Sequence, residues 1–151
     1  MASLKGQKAL APQPMRVDGN AVVITDKVVL GASPGLGTPA SADTLDFRIP
    51  AGFQLCDLDL QIDDADTGAA FVFGVGYRAV DTSSTLTPSS TYFAAAGQTT
   101  AQAGGRLRCT FKPIKFEEDV YVQVVVGTAP AGITGNPEFV MIATGNQLGP
   151  K

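Results

Sequence analysis

The sequence predicts an all-β protein: an antiparallel β-sandwich of jelly-roll or Greek-key type with about eight strands and an extended N-terminal arm. Three observations lead there. Seventeen glycines and ten prolines are spread through 151 residues, which sets many turns. Between those turns, apolar residues recur at every second position over short runs. Ala-, Leu- and Glu-rich stretches of helical period are nearly absent, so no crossover helices exist to build a parallel sheet.

The elements follow in order. Residues 1–14 show no periodicity and end at Pro12 and Pro14, which reads as an extended arm. Residues 15–145 form the sandwich domain and 146–151 a short tail. Residues 20–30, NAVVITDKVVL, are rich in β-branched side chains, with Val22, Ile24, Val28 and Leu30 on one face. Residues 31–42 hold three Gly and two Pro and make a loop. In DTLDFRI, 43–49, Leu45, Phe47 and Ile49 face one way, and Thr44, Asp46 and Arg48 the other. Pro50-Ala51-Gly52 turns the chain into FQLCDLDLQI, 53–62.

In that strand Cys56, Leu58, Leu60 and Ile62 are expected in the core, and Asp57, Asp59, Gln61 and Asp63 outside it. Asp63 to Gly68 has the chemistry of a hairpin loop. Residues 69–80 follow as a strand with Phe71, Phe73, Val75 and Tyr77 on one face. Gly74 and Gly76 on the other face signal a bulge or the close approach of another backbone. Residues 81–90 are a polar loop, and 92–105 contain alanines that allow a short helical turn. RLRCTF, 106–111, points Leu107, Cys109 and Phe111 inward, and Pro113 marks an edge or a strand end. Residues 119–129 place Val120, Val122, Val124 and Val126 on one face, with Tyr121, Gln123 and Val125 opposite. Residues 138–145 make the last strand.

The chemistry-bearing residues exclude more than they suggest. There is no histidine, which removes Ser-His and Cys-His catalysis and His-containing metal sites. The two cysteines make neither a zinc site nor a disulfide framework. An EF-hand frame begun at Asp63 puts Ala65, Thr67 and Gly74 where oxygen ligands belong, and it fails. Asp63, Asp64 and Asp66 stay a weak candidate for a non-EF cation site, and no other cofactor is called for. Asp57 and Asp59 have a spacing compatible with a glycosidase pair, but a chain with no Trp and three Tyr is poorly equipped to stack sugars. GASPGLG, 31–37, lacks the Lys-Ser/Thr ending and the helix of a phosphate loop. The expectation is a protein that is not an enzyme.

Charge is unevenly distributed. The formal net charge is -3, yet residues 1–16 carry Lys5, Lys8 and Arg16 and no acid. A basic arm on an acidic body fits an arm that reaches for a partner surface. Arg106, Arg108 and Lys112 share a face, but the acidic total argues against direct nucleic-acid binding and for a partner's carboxylates or the Asp57/Asp59 face of a neighbouring copy. MASLKGQKALAP has no apolar run of signal-peptide length, and no stretch reaches membrane-spanning length. The expectation is synthesis in a host cytoplasm without a membrane step.

From Ile49 to Ala129 the order is IPAGF, a strand, DDADTG, FVFGVGY, a polar loop, YFAAAGQTTAQAGG, a strand, and DVYVQVVVGTAPAG. That order resembles the head decoration, or cement, proteins of tailed bacteriophages. The resemblance implies a jelly-roll that sits on the outer surface of the virion capsid as a dimer or trimer and bridges subunits of the major capsid protein. It implies that residues 1–16, with Lys5, Lys8 and Arg16, clasp the capsid. Tyr121, Val125, Arg106 and Arg108 are the expected self-association residues. Another virion part (tail, baseplate or fibre) and a carbohydrate-binding sandwich are the alternatives.

Overall fold

The computed structural model describes residues 3–5, 21–32 and 35–149. Its ten strands are β1 (Ser3–Lys5), β2 (Ala21–Val29), β3 (Thr44–Ile49), β4 (Phe53–Ile62), β5 (Val72–Ala79), β6 (Ser89–Gln98), β7 (Gly105–Arg108), β8 (Ile114–Lys115), β9 (Val120–Thr128) and β10 (Glu138–Gln147). One sheet has the order β1-β3-β9-β5-β6 and the other β2-β10-β4-β7, with β8 also beside β4. The strands of the sandwich pair antiparallel, while β1 joins the edge of β3 in parallel register, Ser3 opposite Thr44 and Lys5 opposite Asp46. The chain repeatedly changes sheet: β2, β4, β7 and β10 lie in one, β3, β5 and β9 in the other. This is Greek-key wrapping of an all-β sandwich, as the alternation and turn spacing predict.

The inward faces make one core. Leu45, Phe47 and Ile49 of β3, Val120, Val122, Val124 and Val126 of β9, and Phe73 and Val75 of β5 meet Ile24 and Val28 of β2, Leu58 and Leu60 of β4, and Phe139 and Met141 of β10. Seven phenylalanines, Phe47, Phe53, Phe71, Phe73, Phe93, Phe116 and Phe139, are fully buried. Phe71, Phe73 and Phe139 pack with centroids 5.9–6.2 Å apart and join the sheets across the core. Truncating any of them to Ala removes about 3–5 kcal/mol.

Four expectations change. First, β4 does not alternate throughout. Its register with β10 shifts between Thr144, opposite Asp57, and Gly145, opposite Leu55, so Cys56 is an extra residue in a β-bulge. Leu55 and Leu58 both reach the core, and Cys56 is exposed rather than buried. Gly145 makes this possible, because a Cβ there would collide with the Gln54 carbonyl oxygen. Second, Asp63 to Gly68 is not a hairpin loop, because β4 and β5 belong to different sheets. Third, the alanines of 92–98 lie in β6, and the short helical turn allowed within 92–105 falls later, as the 3₁₀ turn Thr100–Gln102. Fourth, the edge strand expected over 106–111 ends at Arg108 and resumes as β8 beyond Pro113, which carries no N–H to give to the ladder.

The glycines of β5 behave as the sequence predicts. β6 pairs with β5 through register shifts and folds back over its outer face. A Cβ on Gly76 would meet the Ser89 carbonyl oxygen and the Ser90 backbone, and one on Gly74 would lie 3.3 Å from Ala96 Cα. Gly76→Ala is therefore expected to cost about 1–3 kcal/mol of stability by overpacking. Denaturant unfolding reads this directly, and an unchanged midpoint would contradict the close approach of β6.

Candidate functional site

Three polar constellations stand out on this scaffold, and each is built by adjacent strands or by a crossing between sheets. The first is the corner from β4 to β5. Asp66 is 5% exposed, and both of its oxygens accept backbone N–H groups. Oδ1 takes Gly68 (3.0 Å) and Ala131 (2.8 Å), and Oδ2 takes Ala70 (2.5 Å) and Phe71 (2.6 Å). Asp64 Oδ1 accepts the Asp66 N–H, and Asp63 Oδ2 accepts the N–H of Glu138. Thr67 N–H donates to Gly132 O, and Asp63 N–H to Glu138 O. Asp63 to Gly68 is thus a structural corner sewn to the loop between β9 and β10.

Asp63, Asp64 and Asp66, the weak cation candidates, each accept backbone N–H groups in this geometry. Four N–H dipoles converge on Asp66, which repels a cation, and among the described residues no group of three or more metal-ligating side chains is assembled. Burial pushes the Asp66 pKa up, but the N–H bonds from Phe71, Gly68, Ala131 and Ala70 outweigh it and hold the carboxyl at about 2, below its ordinary 3.8.

The second constellation is a ladder on the outer face of β4 and β7. Arg106 donates to Asp59 Oδ2, and Arg108 Nη2 lies 3.2 Å from Asp57 Oδ2. The hydrogen bond to Asp59 and its charge raise the Arg106 pKa. The sequence matches these arginines to a partner's carboxylates or to the Asp57/Asp59 face of a neighbouring copy, and the structure pairs them with Asp57 and Asp59 of the same chain. Cys109 sits beneath, where burial, aided by the charges of Asp59 and Asp57, pushes its thiol up to about 12. It is a packed core residue, as its position in the strand predicts.

The third lies on the outer face of the other sheet. Asp46 is fully buried and takes Arg78 Nη2 (2.9 Å) and Gln123 Nε2 (2.8 Å). Arg78 also lies 4.8 Å from the centre of the Tyr121 ring. Tyr121 is 7% exposed, so it is not the exposed apolar group expected on β9, while Val125 is half-buried. The Arg78 guanidinium over the Tyr121 ring accounts for part of that shielding. Nearby, Arg48 pairs with Asp119, whose Oδ1 takes the Ala51 N–H at 2.8 Å and fixes the turn between β3 and β4. Of the basic arm residues, Lys5 lies in β1, and Lys8 and Arg16 lie outside the described residues.

No protein-family model matches this chain, and no curated protein matches it. Two solved structures contain chains of similar fold. One, "Capsid of Ralstonia phage GP4", aligns with a TM-score of 0.69 at 21% identity over 96% of this chain and 98% of that one. The other, "Cyanophage Pam1 capsid asymmetric unit", aligns with a TM-score of 0.60 at 20% identity over 93% and 94%. At these identities the likeness is one of fold, and it extends over nearly the whole of each chain.

The Asp66 cradle has a pH signature. Its folded pKa lies below the unfolded one, so its contribution is complete above pH 3.8 and is lost as pH falls through about 2. Asp66→Asn should be less stable near neutrality and should show a shallower loss between those pH values. Thermal melts across that window measure it, and parallel acid profiles for the two proteins would contradict the cradle.

Proposed function

We propose that this chain is a non-enzymatic structural protein of a phage virion that decorates the outer capsid surface and bridges neighbouring subunits of the major capsid protein. The observation that carries this reading is the end-to-end likeness of fold to chains of two phage capsids. The strand orders β2-β10-β4-β7 and β3-β9-β5-β6 support reading the sandwich as a jelly-roll. The described ion pairs and the Asp66 carboxylate act in holding the fold. Such a protein works by adding interface area between shell subunits.

In this reading the arm, with Lys5, Lys8 and Arg16, is the clasp. Its described part already behaves as an added strand, since β1 lies along the β3 edge by parallel pairing over three residues. Arm and body together would span two shell subunits. Deleting residues 1–12 should abolish co-sedimentation with empty shells of the parent phage and leave the melting temperature of the sandwich within a few degrees. An unchanged affinity in the deletion would sink the arm's role. A full-length chain that does not bind shells would overturn the capsid reading itself.

A further inference from the structure

We propose that the outer face of the β2-β10-β4-β7 sheet is a self-association surface, on which the Asp57–Arg108 and Asp59–Arg106 ladder of one copy meets the same ladder of a second copy. This deepens the capsid reading by naming the face through which copies meet, and it can be tested on the free protein.

The first observation is a carboxylate oxygen left without a donor. The Asp59 side chain is 8% exposed, and its Oδ2 is held by Arg106. Its Oδ1 is buried and has no hydrogen-bond partner. A shielded, unsatisfied carboxylate oxygen is costly, and further positive charge brought to this face offsets part of that cost. The donors stand close by: the Arg106 and Arg108 side chains are 60% and 72% exposed, and one terminal nitrogen of each pairs with its own chain's carboxylate. A guanidinium has five N–H groups, so each arginine has more to offer than its own chain uses.

The second observation is the ground beside the ladder. Thr144, Ile142 and Val140 of β10 stand opposite Asp57, Asp59 and Gln61 of β4. On the far side of β10, Val23 is 58% exposed, and the Lys27–Glu138 pair closes the patch. An apolar strip between two sets of ion pairs has the anatomy of an interface, with its apolar centre and polar rim. With β2, β10 and β4 nine or ten residues long and β7 four, strands about 4.8 Å apart give a face of roughly 500 Å², which is the scale of a weak interface rather than the ~800 Å² per partner of a standard one.

Charge selects the occupant. A purely basic partner would reach Asp57 but meet two arginines, and a purely acidic one would satisfy the arginines but meet the negative charge of Asp57 and Asp59. The partner that fits offers both signs at the same spacing, and a second copy does so by symmetry. Two such faces related by a twofold axis are self-complementary, and each can bring an arginine N–H to the other's Asp57, whose side chain is 39% exposed.

Analytical ultracentrifugation of the full chain over a range of concentrations tests this. The mass should rise from 15.6 kDa towards twice that value. Val23→Arg, on an exposed position, and Arg108→Glu should each weaken the dimer roughly tenfold or more while melting near the wild type. A chain that stays monomeric at every concentration overturns the proposal, as does a dimer that both variants leave unchanged. Shell binding by such a monomer would leave the capsid reading standing, whereas a dimer that does not bind shells would uphold this face and remove that reading.

Discussion

The sandwich depends on two adjacent crossings between its sheets, and the Asp66 carboxylate pins one to the other. β4 lies beside β10 in one sheet, and β5 lies beside β9 in the other. The passages from β4 to β5 and from β9 to β10 must therefore run next to each other at one end of the sandwich. Backbone that turns such a corner leaves the ladder, and its buried N–H groups need other acceptors. Asp66 supplies them for Gly68, Ala70 and Phe71 of its own crossing and for Ala131 of the other. With the N–H of Phe71 fixed, its ring enters the core against Phe73 and Phe139, one from each sheet. One carboxylate thus sets the height at which the two layers close.

The same economy governs the outer faces. Asp46 is buried on the outer side of β3, where a lone charge would be prohibitive, and it is held by Arg78 from β5 and Gln123 from β9. Three strands are thereby linked across their width. On the other sheet Asp57 and Asp59 are matched by arginines from β7.

Much of this was legible in the sequence because the signals were local. Alternation placed β3, β5, β9 and β10 to within a few residues, and Gly74 with Gly76 announced the close passage of β6. The bulge in β4 was also written there, since the apolar positions run 53, 55, 58, 60 and 62 and break phase between Leu55 and Leu58. The alternation of Leu58, Leu60 and Ile62, extended back by two, assigns Cys56 to the core. What stayed hidden was non-local. Asp66 looks like any turn aspartate until Ala131, sixty-five residues on, brings its N–H. Arg106 and Arg108 cannot be matched with Asp59 and Asp57 of the same chain because nothing local shows that β7 lies along β4. Tyr121 reads as exposed because period two gives the face of a strand but not what covers that face.

The central claim is that one side chain joins the two crossings, rather than merely ordering the turn it belongs to. Native-state amide exchange of Phe71 and Ala131, in the wild type and in Asp66→Asn, tests it most directly. The account predicts that both amides exchange in the wild type only through large-scale opening, and that the substitution accelerates both together. Acceleration at Phe71 with Ala131 unchanged would contradict it and reduce Asp66 to a local turn residue.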